Sequence, residues 1–523
     1  MLNPITYTER VVQDFLRYQL TAYPLADPRL QSQMRALLSL DVTRDTPLWH
    51  GPFISLSRPF RTGASLADLA DEGVLHPLIA GLAEPPTAYG HQEDAFRAIH
   101  ARRHTLVSTG TGSGKTETFL YPIISHCIRL RDEGAPAGIS AVIVYPMNAL
   151  AEDQLGRLRE LLAGTGISFG LYVGKTPEAD KDITGIRLPA GSSRPDYRAA
   201  LAQAQRTGQS TAVHPPEERA SREAMRADGG QPRILLTNVK QLELLLTRQR
   251  DVELFHAARL DHLVFDEAHT FTGALGGETA CLIRRLRAYC GKRASDTICI
   301  ATSATIADPA GDPDAGTRFA SRFFGVDAAQ VELVGESYAE EAWAEHRVAT
   351  PPLAGDPAIQ LQNVLEAVAG VEDDAPQPSA IDRLRSACIA LTGQPIDARA
   401  WSDSLYGQLA ANDVVFQIAQ ALQHPRPLGA LLDDLGARLG RTIAEEEILV
   451  WLPLGAVARR ADSPLLRPVV HAFVRGVGGA VVGFPADHPG PKLWLAAADA
   501  QSNQGAADAH GGAQFTLPVL TCT

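Results

Sequence analysis

Nine consecutive residues, Ser108-Thr109-Gly110-Thr111-Gly112-Ser113-Gly114-Lys115-Thr116, have the composition of a phosphate cradle. Three glycines let backbone N–H groups close around phosphate oxygens, and a helix expected from about Glu117 presents its positive end to the same anion. Thr111, Gly112, Ser113 and Gly114 form the loop, Lys115 can reach the β- and γ-phosphates of a nucleotide, and the Thr116 hydroxyl can ligate Mg²⁺. The strict G-x-x-x-x-G-K-[ST] pattern would place glycine at 109; Thr109 stands there, a mild departure. A second constellation, Asp266-Glu267-Ala268-His269, follows the apolar run His262–Phe265. Two carboxylates at the end of such a strand suit metal-assisted hydrolysis: Asp266 to hold Mg²⁺, Glu267 to orient and deprotonate an attacking water.

These residues need a scaffold that brings distant segments together. Lys115 and Asp266 are 266 − 115 = 151 residues apart. Short apolar runs at Thr105–Ser108, Ala141–Tyr145, Phe169–Val173, Ile234–Thr237, His262–Phe265 and Thr297–Thr302 alternate with helical patterns. That alternation predicts an α/β fold, a parallel sheet covered on both faces. Residues 176–231 interrupt it with many Pro, Gly, Ser, Arg and Glu, an insertion expected to be partly mobile, with some helix around Arg198–Arg206 and Glu217–Ala227. Without those 56 residues, 151 − 56 = 95 remain between Lys115 and Asp266. That suffices for three or four strand–helix units at about 30 residues each.

Around this centre the expected organisation is an N-terminal accessory region (1–85), the α/β domain (86–335), a linker (336–380) and a helical then β module (381–523). In the first region Thr6-x-x-Glu9 reads as a capping box ahead of Val11, Phe15 and Tyr18 on one helix face. No internal repeat is evident. The 523 residues carry 48 basic and 60 acidic side chains, a net charge of −12. With 45% apolar and 21% charged residues the chain is neither wholly disordered nor fibrous. The longest uncharged apolar stretch, Ile448–Ala458, is 11 residues and too short to span a bilayer. An N-terminus with charges where a signal peptide needs an apolar core, and six cysteines without a C-x-x-C pair, place the expected protein in the cytoplasm with reduced thiols.

Five further motifs stand in order with the cradle and the acidic pair: Tyr89-Gly90-His91-Gln92; Pro146-Met147-Asn148-Ala149-Leu150 with Gln154; Val173-Gly174-Lys175-Thr176; Leu236-Thr237-Asn238; and Ser303-Ala304-Thr305. Together they resemble the first, RecA-like motor domain of superfamily 2 DEAD/DEAH-box helicases, over about residues 86–335. The blocks DEAHTFTGALGGETACLIRRLR, FASRFFGVDAAQVELVGE and SRPFRTGASLADLADEGVLHP look similar to large bacterial helicases of the Lhr, MrfA and DrmA kind, which act in DNA repair or in defence against phage. The resemblance implies ATP and Mg²⁺ as ligands. It implies Gln92 reading adenine, Ser303 and Thr305 coupling hydrolysis to movement, and His269 linking the nucleotide site to a second motor half. It further implies DNA, rather than RNA, touching Asn148, Gly174 and Thr237. Such contacts use amides, hydroxyls and helix N-termini, so an acidic chain can make them.

Three nearby features read as structural. Arg284, Arg285 and Arg287 are expected on a solvated helix face, and Cys281 in the core. Gly436-Ala437-Arg438-Leu439-Gly440-Arg441 reads as a helix end capped near Gly440 with Arg441 solvated, not as an arginine finger. Residues 336–523 offer no second motor, and the chain stops one residue after Cys522 inside an apparent strand. The expectation is therefore the N-terminal part of a longer or split machine: an ATP-driven helicase or translocase, weakly active until a partner chain supplies the second motor. The competing expectation, from a different class, is an ATP-binding switch or scaffold subunit of a defence complex.

Overall fold

The computed structural model describes residues 4–22, 24–38, 49–110, 112–206, 212–255, 258–304, 312–339, 343–371, 376–460, 463–474, 480–484, 490–495 and 516–518. Thr111 and Thr305 lie outside these. Two compact units emerge, one of residues 60–339, the other of 1–59 together with 340–523.

The 60–339 unit is built on seven strands: β1 (His104–Ser108), β2 (Ala141–Tyr145), β3 (Phe169–Leu171), β4 (Ile234–Asn238), β5 (His262–Phe265), β6 (Ile298–Ser303) and β7 (Val331–Gly335). Every pairing is parallel, in the order β7-β1-β6-β5-β2-β4-β3. The α/β parallel sheet expected from the sequence is therefore present. β1, β2, β5 and β6 are buried along their whole length, as β-branched and aliphatic runs must be when helices cover both faces. One face packs against α1 (Gly90–His100), α2 (Lys115–Asp132) and α3 (Asn148–Leu162) through Phe96, Phe119, Ile123 and Leu158. The other packs, through Leu242, Leu286 and Phe323, against α5 (Val239–Leu245), α6 (Gly273–Tyr289) and α7 (Ala315–Phe324). Because all strands run the same way, their carboxyl ends share one edge, and the loops that follow them meet there.

The seventh strand, β7, escaped the periodicity reading, since VELVG alternates buried and exposed residues where the others are continuously apolar. Residues 60–85 also belong to this unit: Thr62–Ser65 pairs with Thr87–Tyr89, and Leu66, Leu69 and Ile79 join the core under α1 and α2. The insertion is anchored. Its helix α4 (Arg194–Arg206) packs Tyr197 and Ala204 beside Ala163, and Ile186–Arg187 pairs with Val213–His214. The helix expected over Glu217–Ala227 is confined to Arg222–Arg226, capped by Ser221.

In the other unit, strand Trp49–Leu56 pairs antiparallel with Pro468–Val474, so its two sequence-distant parts share a sheet. Its helices, from Pro357–Ala369 to Glu445–Val457, surround a core that includes Val364, Leu384, Ile418, Leu431 and Trp451. The expected linker 336–380 thus contains a helix that gives Val364, Ala367 and Val368 to this core.

Several local expectations need correction. Helix Pro4–Ala22 runs through Thr6, and its buried side is Val12 and Leu16; Val11, Phe15 and Tyr18 are exposed. Periodicity finds an apolar stripe but not which of two neighbouring stripes is covered. Cys281 is exposed. Arg287 is buried and donates to the Phe324 carbonyl (2.7 Å) and to Cys299 Sγ (2.8 Å). Gly440 does end its helix, with φ +65° in the left-handed region that favours glycine. Arg441, however, is paired with the buried Glu447, Nη1 to Oε2 at 2.9 Å.

Candidate active site

Where β1 ends, Gly112 and Gly114 take φ of +79° and +74°, and α2 begins directly at Lys115. A Cβ at Gly112 would meet open space, whereas one at Gly114 would strike Gln92 Nε2 at 2.4 Å. The left-handed backbone at 114 favours glycine, and a larger residue there would also displace the Gln92 amide. Two side chains of α1 brace this loop: His91 Nε2 bonds the Ser113 carbonyl at 2.8 Å, and Gln92 Nε2 donates to the Gly114 carbonyl at 3.0 Å. Burial lowers the pKa of His91, which favours the neutral ring. Gln92 Oε1 accepts from the Tyr89 amide at 2.9 Å, so both ends of its side chain engage the protein. Thr109 and Ser113 hydroxyls meet across the loop at 2.8 Å, and Gly110 N donates to Glu336 Oε1.

The acidic pair stands at the end of β5, separated from β1 by β6 alone. Two strand spacings are about 10 Å, a gap that a lysine and a glutamate side chain close between them. Lys115 Nζ lies 3.6 Å from Glu267 Oε1 and donates to the Thr109 carbonyl at 3.1 Å. Glu267 is one of three non-glycine residues with positive φ (+51°) among the described residues. Such a backbone costs about 1–3 kcal/mol and persists only where its surroundings enforce it. Here Thr302 does so: its hydroxyl donates to Asp266 Oδ1 and accepts the Glu267 amide at 3.2 Å. Asp266 is 5% exposed, and burial raises its pKa, with the adjacent Glu267 acting in the same direction and Thr302 and Lys115 opposing. His269 Nδ1 sits 3.2 Å from Glu267 Oε2.

A glycine-rich loop at a helix N-terminus with a poised lysine fits nucleotide phosphates. The Thr116 hydroxyl and the Asp266 carboxylate are hard oxygen donors of the kind that suits Mg²⁺. Gly112, Ser113 and Gly114 lie in the loop after β1, Lys115 and Thr116 open α2, and Asp266, Glu267 and His269 follow β5. Ser303 is buried at the end of β6, where its carbonyl accepts the Thr109 amide at 3.0 Å.

A matching family model, the DEAD/DEAH box helicase, covers residues 89–190. Among curated relatives, Druantia protein DruE of Escherichia coli (strain UMEA 4076-1) is 26% identical over 94% of this chain and 32% of its own length. The uncharacterized ATP-dependent helicase YprA of Bacillus subtilis is 29% identical over 42% of this chain and 23% of its own. The chain therefore spans about a third or less of these relatives. Solved structures that align with it include the DUF1998 helicase MrfA bound to DNA and AMPPNP (20% identity, TM-score 0.37, 66% of this chain and 41% of that one). Relatives named as ATP-dependent helicases, Lhr-Core of Methanothermobacter thermautotrophicus among them at 31% identity over 34% of this chain and 17% of its own, agree with the family expected from the motifs. Among the described residues no helix is long and apolar enough to cross a membrane.

The residues expected to touch nucleic acid divide. Asn148 opens α3 at the carboxyl edge and accepts from Asn238 Nδ2 at 2.6 Å. Gly174 is exposed in the turn after β3. Thr237 is not at the surface: it is buried, and its hydroxyl donates to the Tyr172 carbonyl at 2.8 Å. The accessible polar group there is Asn238, which also caps α5. Thr302 and Glu336 were missed as candidates, and His91 and Asn238 stood inside quoted motifs without a role of their own. Thr302 left a signal as a polar side chain near the end of an apolar strand.

Proposed function

We propose that the 60–339 unit is the first half of an ATP-driven motor that moves along nucleic acid, DNA in the first instance. The observation that carries it is the approach of Lys115 to Glu267, 267 − 115 = 152 residues apart, at the end of a sheet that also aligns Asn148, Asn238 and Gly174. Loop amides and Lys115 hold the triphosphate, and Thr116 and Asp266 hold Mg²⁺, which supplies charge neutralisation at the transferring phosphoryl group. Glu267, fixed by its left-handed backbone, orients a water and takes its proton. Lys115 Nζ stands 3.6 Å from that carboxylate. Ser303 passes backbone contact between β6 and the loop. Gln92 braces the loop from below while its helix start borders the base. His269 and a second motor half, in the same or another chain, complete the charge on the γ-phosphate. Without that half the 523 residues turn over slowly. The repair or defence setting of the larger machine belongs to the same proposal.

The test is ATP hydrolysis by the purified chain with single-stranded DNA, duplex DNA or RNA, alone and with a candidate second chain. Stimulation by DNA is expected. Lys115→Ala should abolish nucleotide binding, and Glu267→Gln should retain binding but slow turnover by about 10²-fold or more. Hydrolysis unaffected by both substitutions, or tight nucleotide binding without any nucleic-acid effect, would overturn the motor in favour of a different ATPase or a nucleotide switch.

A further inference from the structure

Where the chain leaves β3 at Tyr172, a cavity of about 350 Å³ opens. Four arginines line it: Arg222 and Arg226 from the insertion, Arg248 and Arg250 from the turn that follows α5. Against them stand Glu178 and Asp251, so the cavity carries 4 − 2 = 2 excess positive charges in a chain of net −12. The inner pair is held. Glu178 bonds Arg226 and lies 3.6 Å from Arg222, while Asp251 lies 3.4 Å from Arg226 and accepts the Tyr172 hydroxyl. Arg222 also donates to the Val173 and Gly174 carbonyls, both at 2.9 Å, and lies over the Tyr172 ring at 5.1 Å. Its Nε is buried without a hydrogen-bond partner among the described residues. The outer pair is different: Arg248 and Arg250 are exposed and form no ion pair among the described residues.

We propose that this cavity is a phosphate-binding site, occupied by a backbone phosphate of the strand that crosses the carboxyl edge past Asn148 and Asn238. Guanidinium forks match phosphate oxygens in pairs, and a preset inner pair with a free outer pair gives both position and net attraction. The strand order places the site last in a row: Asn148 after β2, Asn238 at the end of β4, Gly174 and the arginines after β3. This assignment rests on the motor proposed above. Free inorganic phosphate shares the chemistry and is the other possible source.

The experiment compares the full chain with its Arg248→Ala/Arg250→Ala variant. Both residues are exposed, and a melting curve verifies the fold. Binding of a labelled 20-nucleotide oligo-dT is followed by anisotropy with a non-hydrolysable ATP analogue present, across a salt titration. Inorganic phosphate is titrated calorimetrically in parallel. The expected result is about 10-fold weaker oligo-dT binding and a salt slope flatter by about 1.4, two contacts at about 0.7 each. Nucleotide affinity should not change, and Arg248→Lys/Arg250→Lys should restore the slope. Unchanged oligo-dT affinity and slope would overturn the assignment, and if phosphate binding alone were lost the site would be one for the free ion. A wild-type chain that binds no oligo-dT would instead sink the motor itself, and the phosphate titration would then show whether the cavity still takes an anion.

Discussion

Glu267 shows how a single residue's backbone can set chemistry. Its left-handed φ directs the carboxylate toward Lys115, and Thr302 pays both neighbours at once, giving its proton to Asp266 and receiving the Glu267 amide. The buried Asp266 bears the cost. Burial raises its folded pKa above the ordinary value near 3.8, so the folded protein binds that proton more tightly than the unfolded chain does. Stability is then greatest below the ordinary carboxylate pKa and falls as pH rises through the window up to the folded value. Asp266→Asn removes this penalty while still accepting from Thr302. The nucleotide-free variant should melt higher than wild type at pH 7, by about 2 °C, with the difference vanishing near pH 3. It should also lose the Mg²⁺ dependence of nucleotide binding. A lower melting point at pH 7 would contradict the desolvated carboxylate.

Among elements, a buried polar cluster ties the insertion to α3, in addition to the pairs of Glu160 with Arg194 and Arg198. Arg159 donates to both oxygens of Glu218 at 2.7 Å, and His214 Nδ1 lies 2.9 Å from the same carboxylate. Burial by itself would raise the Glu218 pKa, but the bonds from His214 and Arg159 outweigh it and the net shift is downward from 4.5. A lowered carboxylate pKa contributes stability that is complete above the ordinary value and is lost as pH falls through the folded value. Arg159→Ala leaves the buried Glu218 with His214 but without its bidentate partner, a loss of up to about 3 kcal/mol. Limited proteolysis within 176–231 should accelerate in the variant at pH 7, and in wild type only below about pH 4.5. Equal cleavage of both proteins at pH 7 would mean that the insertion is anchored elsewhere. Composition alone gave an expectation of mobility here, because Pro, Gly and charged residues dominate. Part of the anchoring comes from three polar side chains, one of them from α3, that only the fold brings together.

For the whole molecule, residues 60–339 and the pair 1–59 with 340–523 form separate cores. Separate cores of this size unfold as separate cooperative units. Calorimetry of the full chain should therefore show two transitions, and Arg159→Ala should lower only the one belonging to 60–339. A single transition shifted as a whole would show the units to be coupled. The strand pairing of Trp49–Leu56 with Pro468–Val474 carries a related consequence: cutting the chain after residue 59 removes the central strand of a sheet completed more than 400 residues later.

The phosphate loop, the acidic pair and six of the seven strands were legible because each is local: a continuous apolar run between turn residues declares a buried parallel strand, and Gly-rich chemistry at its end needs no distant partner. β7 was hidden by its edge position, which leaves alternate residues in solvent. Other features depended on what lies opposite a residue in space. The Tyr172 carbonyl takes the Thr237 hydroxyl inward, Phe324 and Cys299 bury Arg287, and Glu447 claims Arg441. Sequence by itself determined the class of chemistry and the strands that carry it, since both follow from side-chain type and period. Tertiary structure decided which polar groups remain free to act, because a hydrogen bond or ion pair is satisfied by proximity, and proximity between distant segments is not written in local pattern.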